Sequence, residues 1–143
     1  MASLLDSITK ILVLSLLITS SILSASTVTV GSHVRFTVPD LSDSEWQTQV
    51  LEPDVPVLVE FWEPRCGPCA TIHPIVDQLA KDFAGKFKFY KINTDESPNT
   101  TNRYGISSVP TVIVFKDGEK KDSITGAVSR ETLEKTIERF LVE

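Results

Sequence analysis

The sequence predicts an α/β domain with a central mixed β-sheet covered by helices on both faces. Three observations lead there. Strand-like and helix-like periods alternate from Val34 to the C-terminus, one stretch (VPVLVEFW, residues 55–62) is apolar almost throughout, and a KDG turn at 116–118 joins two strands into a hairpin. The resulting order, β-α-β-α-β-(α)-β-β-α, is that of a sheet packed between helical layers.

The elements follow in turn. A short strand is expected around Arg35 to Val38, then a helix from Ser42 to Leu51, with Asp43, Ser44 and Glu45 in its first turn suiting the positive end of a helix. The run at 55–62, broken by the single acid Glu60, reads as a central strand buried on both faces. A helix is expected from Cys66 to Phe83, with Ile72, Ile75, Val76, Leu79 and Phe83 along one side and Pro74 removing an amide within it. KFKFYKIN (86–93) alternates as a strand does. A short helix near Asn99 to Tyr104 precedes the strand TVIVF (111–115), and the hairpin continues into a strand near Lys121 to Thr125. Ser129 can cap a last helix reaching Leu141, with Leu133, Ile137, Phe140 and Leu141 inward.

The first 33 residues do not belong with this pattern. Their apolar run from Ile11 to Ile18 is short for a membrane span of about 20 residues. Lys10, the apolar run and the small residues Ser24 and Ser26 resemble a secretory signal, while the abundance of Ser and Thr and the near absence of acids resemble a transit peptide. Composition leaves both addresses open, with a weak anchor as a third if Thr19 to Leu23 joins the run. The expected division is a targeting or signal-like segment at 1–33 and one domain at 34–143.

The 143 residues suffice for one domain with a proper core. A net charge of −5 argues against nucleic acid as a partner, since binding it needs a basic face. Two cysteines are too few for a disulfide-scaffolded mini-protein.

Those two cysteines, Cys66 and Cys69 in FWEPRCGPCATIHP, carry the chemistry. They stand three apart where a buried strand gives way to a helix, and there exposed amides and the helix dipole favour a thiolate on Cys66. Cys69 can then close a short disulfide once Cys66 carries a mixed disulfide. A metal site would need four ligands, and only Cys66, Cys69, His73 and the distant His33 are available, so no metal or cofactor is expected. A structural staple gains little from so short a loop. Dithiol exchange is the favoured reading.

CGPC following FW, an acid six residues before the first cysteine, a proline five after the second and a later VPT together resemble thioredoxin. The similarity runs from about Val38 to Glu143, and KINTDESPNTTNRYGISSVPTVIVFKDGEKKDSITGAV closely resembles the m-type thioredoxins of chloroplasts. The resemblance implies the thioredoxin fold and a protein-disulfide reductase with Cys66 as nucleophile and Cys69 as resolving nucleophile, joined by Gly67 and Pro68 and able to form a disulfide with each other. It implies that Glu60 transfers a proton to or from Cys69, with Lys91 as its neighbour. It implies that Pro110 is cis, that Val109 offers its backbone to an extended target segment as in strand addition, that Gly126 lines the rim and that Trp62 packs under the site. Glu60 at a solvent-facing edge, Pro110 and Gly126 as plain turn residues and Trp62 as ordinary core are the alternatives.

The chain departs from the family where Arg65 replaces the Trp before the first cysteine, Glu63 stands at a usually small position, and Ala70 follows the second cysteine. Arg65 removes an apolar contact for targets and adds a charge beside Cys66; Glu63 can pair with it. Altered partner choice follows, or else a drifted loop of little consequence. The partners implied are disulfide-containing target proteins and a ferredoxin-dependent thioredoxin reductase, acting on a monomer in the chloroplast stroma. A thioredoxin-fold binding module that does not turn over, and the same redox chemistry in the secretory route or at a membrane, are the competing readings.

Overall fold

The computed structural model describes residues 4–10 and 36–142. The Ile11–Ile18 run, Ser24, Ser26, His33 and Arg35 fall outside the described residues. Residues 4–10 are a helix bearing the exposed ion pair Lys10–Asp6 (3.1 Å). Among the described residues no helix is long and apolar enough to cross a membrane.

Within residues 36–142 five strands form one sheet: β1 Asp40–Leu41, β2 Val57–Trp62, β3 Lys88–Asn93, β4 Thr111–Lys116 and β5 Glu119–Thr125, in the spatial order β1-β3-β2-β4-β5. β1, β3 and β2 run parallel, while β4 is antiparallel to β2 and to β5. The sheet is therefore mixed, as expected. Three helices follow the sequence pattern: α1 Cys69–Asp82, α2 Pro98–Arg103 and α3 Arg130–Leu141.

The apolar run predicted at 55–62 is β2, with Val57 to Phe61 all buried. Side chains alternate across a strand, so β2 feeds two cores. Leu58 joins Phe89, Val112 and Val114 beneath α1 and α3, whose Ile72, Val76, Leu79, Leu133 and Ile137 seal that side. Val57, Val59 and Phe61 face the other way, with Trp46, Val50, Ile113 and Phe115. There Trp46 packs between Phe61, Tyr104 and Phe115 at centroid distances of 5.2 to 5.9 Å and donates its indole N–H to the Tyr104 hydroxyl.

Two expectations near the start need correction. The first strand is not at 35–38 but at Asp40–Leu41, set by register with Lys91 and Ile92 of β3. The helix expected over Ser42–Leu51 is mostly not α-helical. Glu45 folds back on Ser42, whose amide and hydroxyl both donate to Glu45 Oε2, while the Glu45 amide donates to the Ser42 carbonyl. The chain then widens into a π-helical turn, Gln47–Leu51, whose closing bond runs from the Glu52 amide to the Gln47 carbonyl. Asp43 serves another element: its carboxylate accepts the Asn99 and Thr100 amides at the start of α2.

The hairpin and last helix match their signals. Asp117 and Gly118 both take positive φ (54° and 75°), the backbone of a two-residue turn that suits the twist of paired strands. A Cβ on Gly118 would also meet the Leu51 carbonyl oxygen at 3.0 Å, so glycine is required twice over. Ser129 caps α3 by accepting the Thr132 amide, and Leu133, Ile137 and Phe140 are buried.

Candidate functional site

β2 ends at Trp62 and the chain turns through residues 63–68 before α1 begins. Cys66 stands in that turn, not in the helix as the sequence pattern suggested. Its amide donates to the Glu63 carbonyl, and the Cys69 amide at the first turn of α1 donates to Cys66 Sγ (3.1 Å). Pro68, at the N-cap of α1, has no amide that needs a partner. Gly67 and Pro68 thus make the corner that brings the sulfurs together, and Cys66 and Cys69 form a disulfide with a Cα separation of 5.3 Å. Cys66 is half-buried, whereas Cys69 is 1% exposed. The two cysteines differ in exposure.

Glu60 shares the α1-facing side of β2 with Leu58 and is 0% exposed, which excludes the solvent-facing alternative. Burial pushes its carboxyl up to about 8; the charge of Lys91 opposes that, and Asp77 and Asp40 add to it. Lys91 is its register partner on β3. The Lys91 ammonium is nevertheless committed elsewhere, 3.8 Å from Asp40 Oδ2 and 5.8 Å above the Trp62 ring. The direct partner of Glu60 is His73 of α1. His73 Nδ1 lies 3.0 Å from each carboxyl oxygen, but only the approach to Oε2 has hydrogen-bond direction, so Oε1 is buried without a donor. His73 itself is held below its usual value, first by burial and then by Lys91, with Asp40 and Asp77 opposing.

Trp62 is half-buried. Its N–H donates to Asp40 Oδ1 (2.6 Å) and its ring meets His73 edge-on at 5.3 Å. Val109–Pro110 is a cis peptide, with Pro110 buried and Val109 half-buried. Gly126 belongs to the same corner, since its amide donates to the Pro110 carbonyl (2.8 Å). Val109 lines an open cleft of about 340 Å³ with Glu63, Ile106, Ser107 and Ser108, a lining more hydroxylic than apolar. Arg65 is exposed, and the pairing with Glu63 is absent: no ion pair of Arg65 occurs among the described residues.

Sequence reasoning missed His73 in this role, having weighed it only as a metal ligand, and missed Asp40 altogether. The signal for His73 was its spacing, four residues after Cys69 and so one helical turn along the same face. Among the described residues no group of three or more His, Cys, Asp or Glu could hold a metal ion.

The thioredoxin family model matches residues 37–139. Over 106 residues the chain is 88% identical to "Thioredoxin M4, chloroplastic" of Arabidopsis thaliana, covering 74% of this chain and 55% of that protein. It is 53% identical over 112 residues to "Thioredoxin M-type, chloroplastic" of Pisum sativum, covering 76% and 65%. To a thioredoxin of Synechocystis it is 47% identical over 103 residues, covering 72% of this chain and 96% of the other. The chain thus spans between about half and two thirds of the length of these two plant relatives.

Proposed function

The chain belongs to the thioredoxin family, and from that premise we propose that it is a protein-disulfide reductase working by dithiol–disulfide exchange. The observation that carries the reading is the asymmetric cysteine pair at the mouth of α1, Cys66 partly exposed and Cys69 buried. In the reduced protein the Cys66 thiolate attacks a target disulfide. One target sulfur becomes bonded to Cys66 and the other leaves as a thiolate. Cys69, having lost its proton, attacks Cys66 Sγ, forms the Cys66–Cys69 bond and expels the second target thiolate. Two electrons have passed to the target, and a reductase must restore the dithiol.

The Cys69 amide aimed at Cys66 Sγ supports Cys66 as the nucleophile, because that bond strengthens when the sulfur is anionic. Gly67 and Pro68 set the corner. Glu60 is the proton-transfer group for Cys69, with Lys91 tuning it through its charge. Val109, Pro110, Gly126, Trp62 and Arg65 form the surface that meets the target, where Val109 offers backbone pairing. Arg65 in place of an aromatic contact shifts target choice without removing the chemistry. Residues 1–33 act as a targeting segment and 34–143 as the working domain. Relatives named as chloroplastic support a stromal address, and with it disulfide-bearing stromal targets, a ferredoxin-dependent reductase as donor and action as a monomer.

The test is insulin-disulfide reduction by the full chain with dithiothreitol as donor, beside a Cys66→Ser control. Turnover is expected in the parent and none above the dithiothreitol background in the control. A folded parent with both thiols titratable and no turnover would overturn the proposal in favour of a binding module.

A further inference from the structure

We propose that His73 is the proton relay of the resolving step, linking the buried Glu60 carboxyl to solvent. The inference rests on the dithiol reading above and assigns a residue that reading leaves unused.

A buried base that takes a proton from Cys69 must also lose it, and Glu60 has no surface of its own. His73 supplies one. Its ring is about a quarter exposed (26%) and lines the open cleft between α1 and the segment carrying Phe36 and Thr37, while Nδ1 sits 3.0 Å from both oxygens of Glu60. The same ring lies one turn after Cys69 on α1, so the carboxyl bonded to it occupies the helix face that carries the resolving thiol. Trp62 holds the ring edge-on. Charged groups act on the pair from each neighbouring element: Lys91 on β3, Asp40 on β1 and Asp77 on α1.

The two oxygens of Glu60 have different situations, and the relay uses both. Oε2 bonds His73 Nδ1 and Oε1 has no donor. In the resolving step the Cys69 S–H proton passes through water to Oε1 while the proton on Oε2 passes to Nδ1 of the neutral imidazole, whose Nε2 proton goes to solvent. The carboxyl ends with one proton, as it began, and the imidazole has exchanged one tautomer for the other. The Cys69 thiolate forms the new S–S bond, and the target sulfur leaves with the electron pair of the broken one. A protonated Glu60 can therefore still serve as the acceptor. His73 acts through Glu60 and not on the sulfurs.

The experiment separates the two sulfur steps. Reduced full-length protein is mixed with excess of an aromatic disulfide, dithiobis(nitrobenzoate), whose coloured thiolate is released once when Cys66 attacks and again when Cys69 resolves. Excess reagent makes the first release fast and leaves the second intramolecular; Cys69→Ser should give the first alone. In His73→Gln the second release is expected to slow about tenfold, within what a positioned acid–base group supplies. It should also become steeply dependent on pH up to about 8, because only ionised Glu60 can then accept. The first release should match the parent. In His73→Ala, free imidazole should restore much of the second release. A second release in His73→Gln within twofold of the parent, with the same pH slope, would overturn the relay, as would an absence of imidazole rescue. Loss of the first release in the parent would instead overturn the dithiol reading.

Discussion

Replacing Glu60 by Gln should stabilise the protein relative to the parent by an amount that grows as pH rises, a result opposite to the loss expected from breaking a helpful ion pair. The carboxyl has its usual value of 4.5 when unfolded and about 8 when folded, chiefly from burial. A carboxyl whose folded value is raised contributes its stability fully below the unfolded value and loses it as pH rises through the folded one. Each pH unit inside that window costs about 1.4 kcal/mol. From about pH 4.5 to pH 7 the loss is therefore about 3 kcal/mol, and it levels off above pH 8 at roughly 4–5 kcal/mol. Against a typical domain stability of about 5–15 kcal/mol this is large. Glu60→Gln removes the titration while nearly keeping the volume. Urea unfolding of oxidised parent and variant, followed by tryptophan fluorescence at intervals from pH 5 to pH 9, measures it. The variant-minus-parent stability should climb by several kcal/mol across that range and then flatten. His73, whose folded value is lowered, contributes in the other direction: its stability is lost as pH falls through its usual range. That contribution belongs to both proteins and largely cancels in the difference. A difference that stays level with pH would refute the account of Glu60 as a carboxyl kept neutral by burial.

Arg65→Trp should raise kcat/KM for insulin reduction by about three- to tenfold and change urea stability by under about 0.5 kcal/mol, because Arg65 is exposed and in no ion pair among the described residues. An unchanged kcat/KM would mean that this position does not meet the target. Gly126→Ala should destabilise by about 1–2 kcal/mol in the same urea assay. No atom lies within 4 Å of a Cβ built there, so the whole effect comes from the φ of +95°. A neutral result would show that the backbone at this corner relaxes freely.

How much of this could be read from the chain depends on whether each feature is local. β2, α1, the β4–β5 hairpin and α3 are periodic or capped by residues within a few positions, and their patterns located them to within a few residues. β1 has two residues and no pattern; it exists because Asp40 and Leu41 meet Lys91 and Ile92, a pairing some fifty positions away. The same division runs through the site. CGPC is a local signal, and it identified both sulfurs. Local pattern put Cys66 inside α1, yet the helix starts three residues later, because Cys66 Sγ takes the amide that begins it. Glu60 was legible as an acid in an apolar strand, but its partner was not. Lys91 is adjacent in register, which resemblance could supply. His73 reaches Glu60 only because α1 lies across β2, a fact of packing and not of spacing. The unpaired Oε1 lies further still from the sequence, being a matter of direction within one bond. A buried carboxyl with one satisfied oxygen and one open oxygen is a poor way to stabilise a fold. Its energetic cost and its fitness for moving a proton have the same origin, which is why the stability difference between Glu60→Gln and the parent and the rate of resolution in His73→Gln should both turn over with pH in the same range.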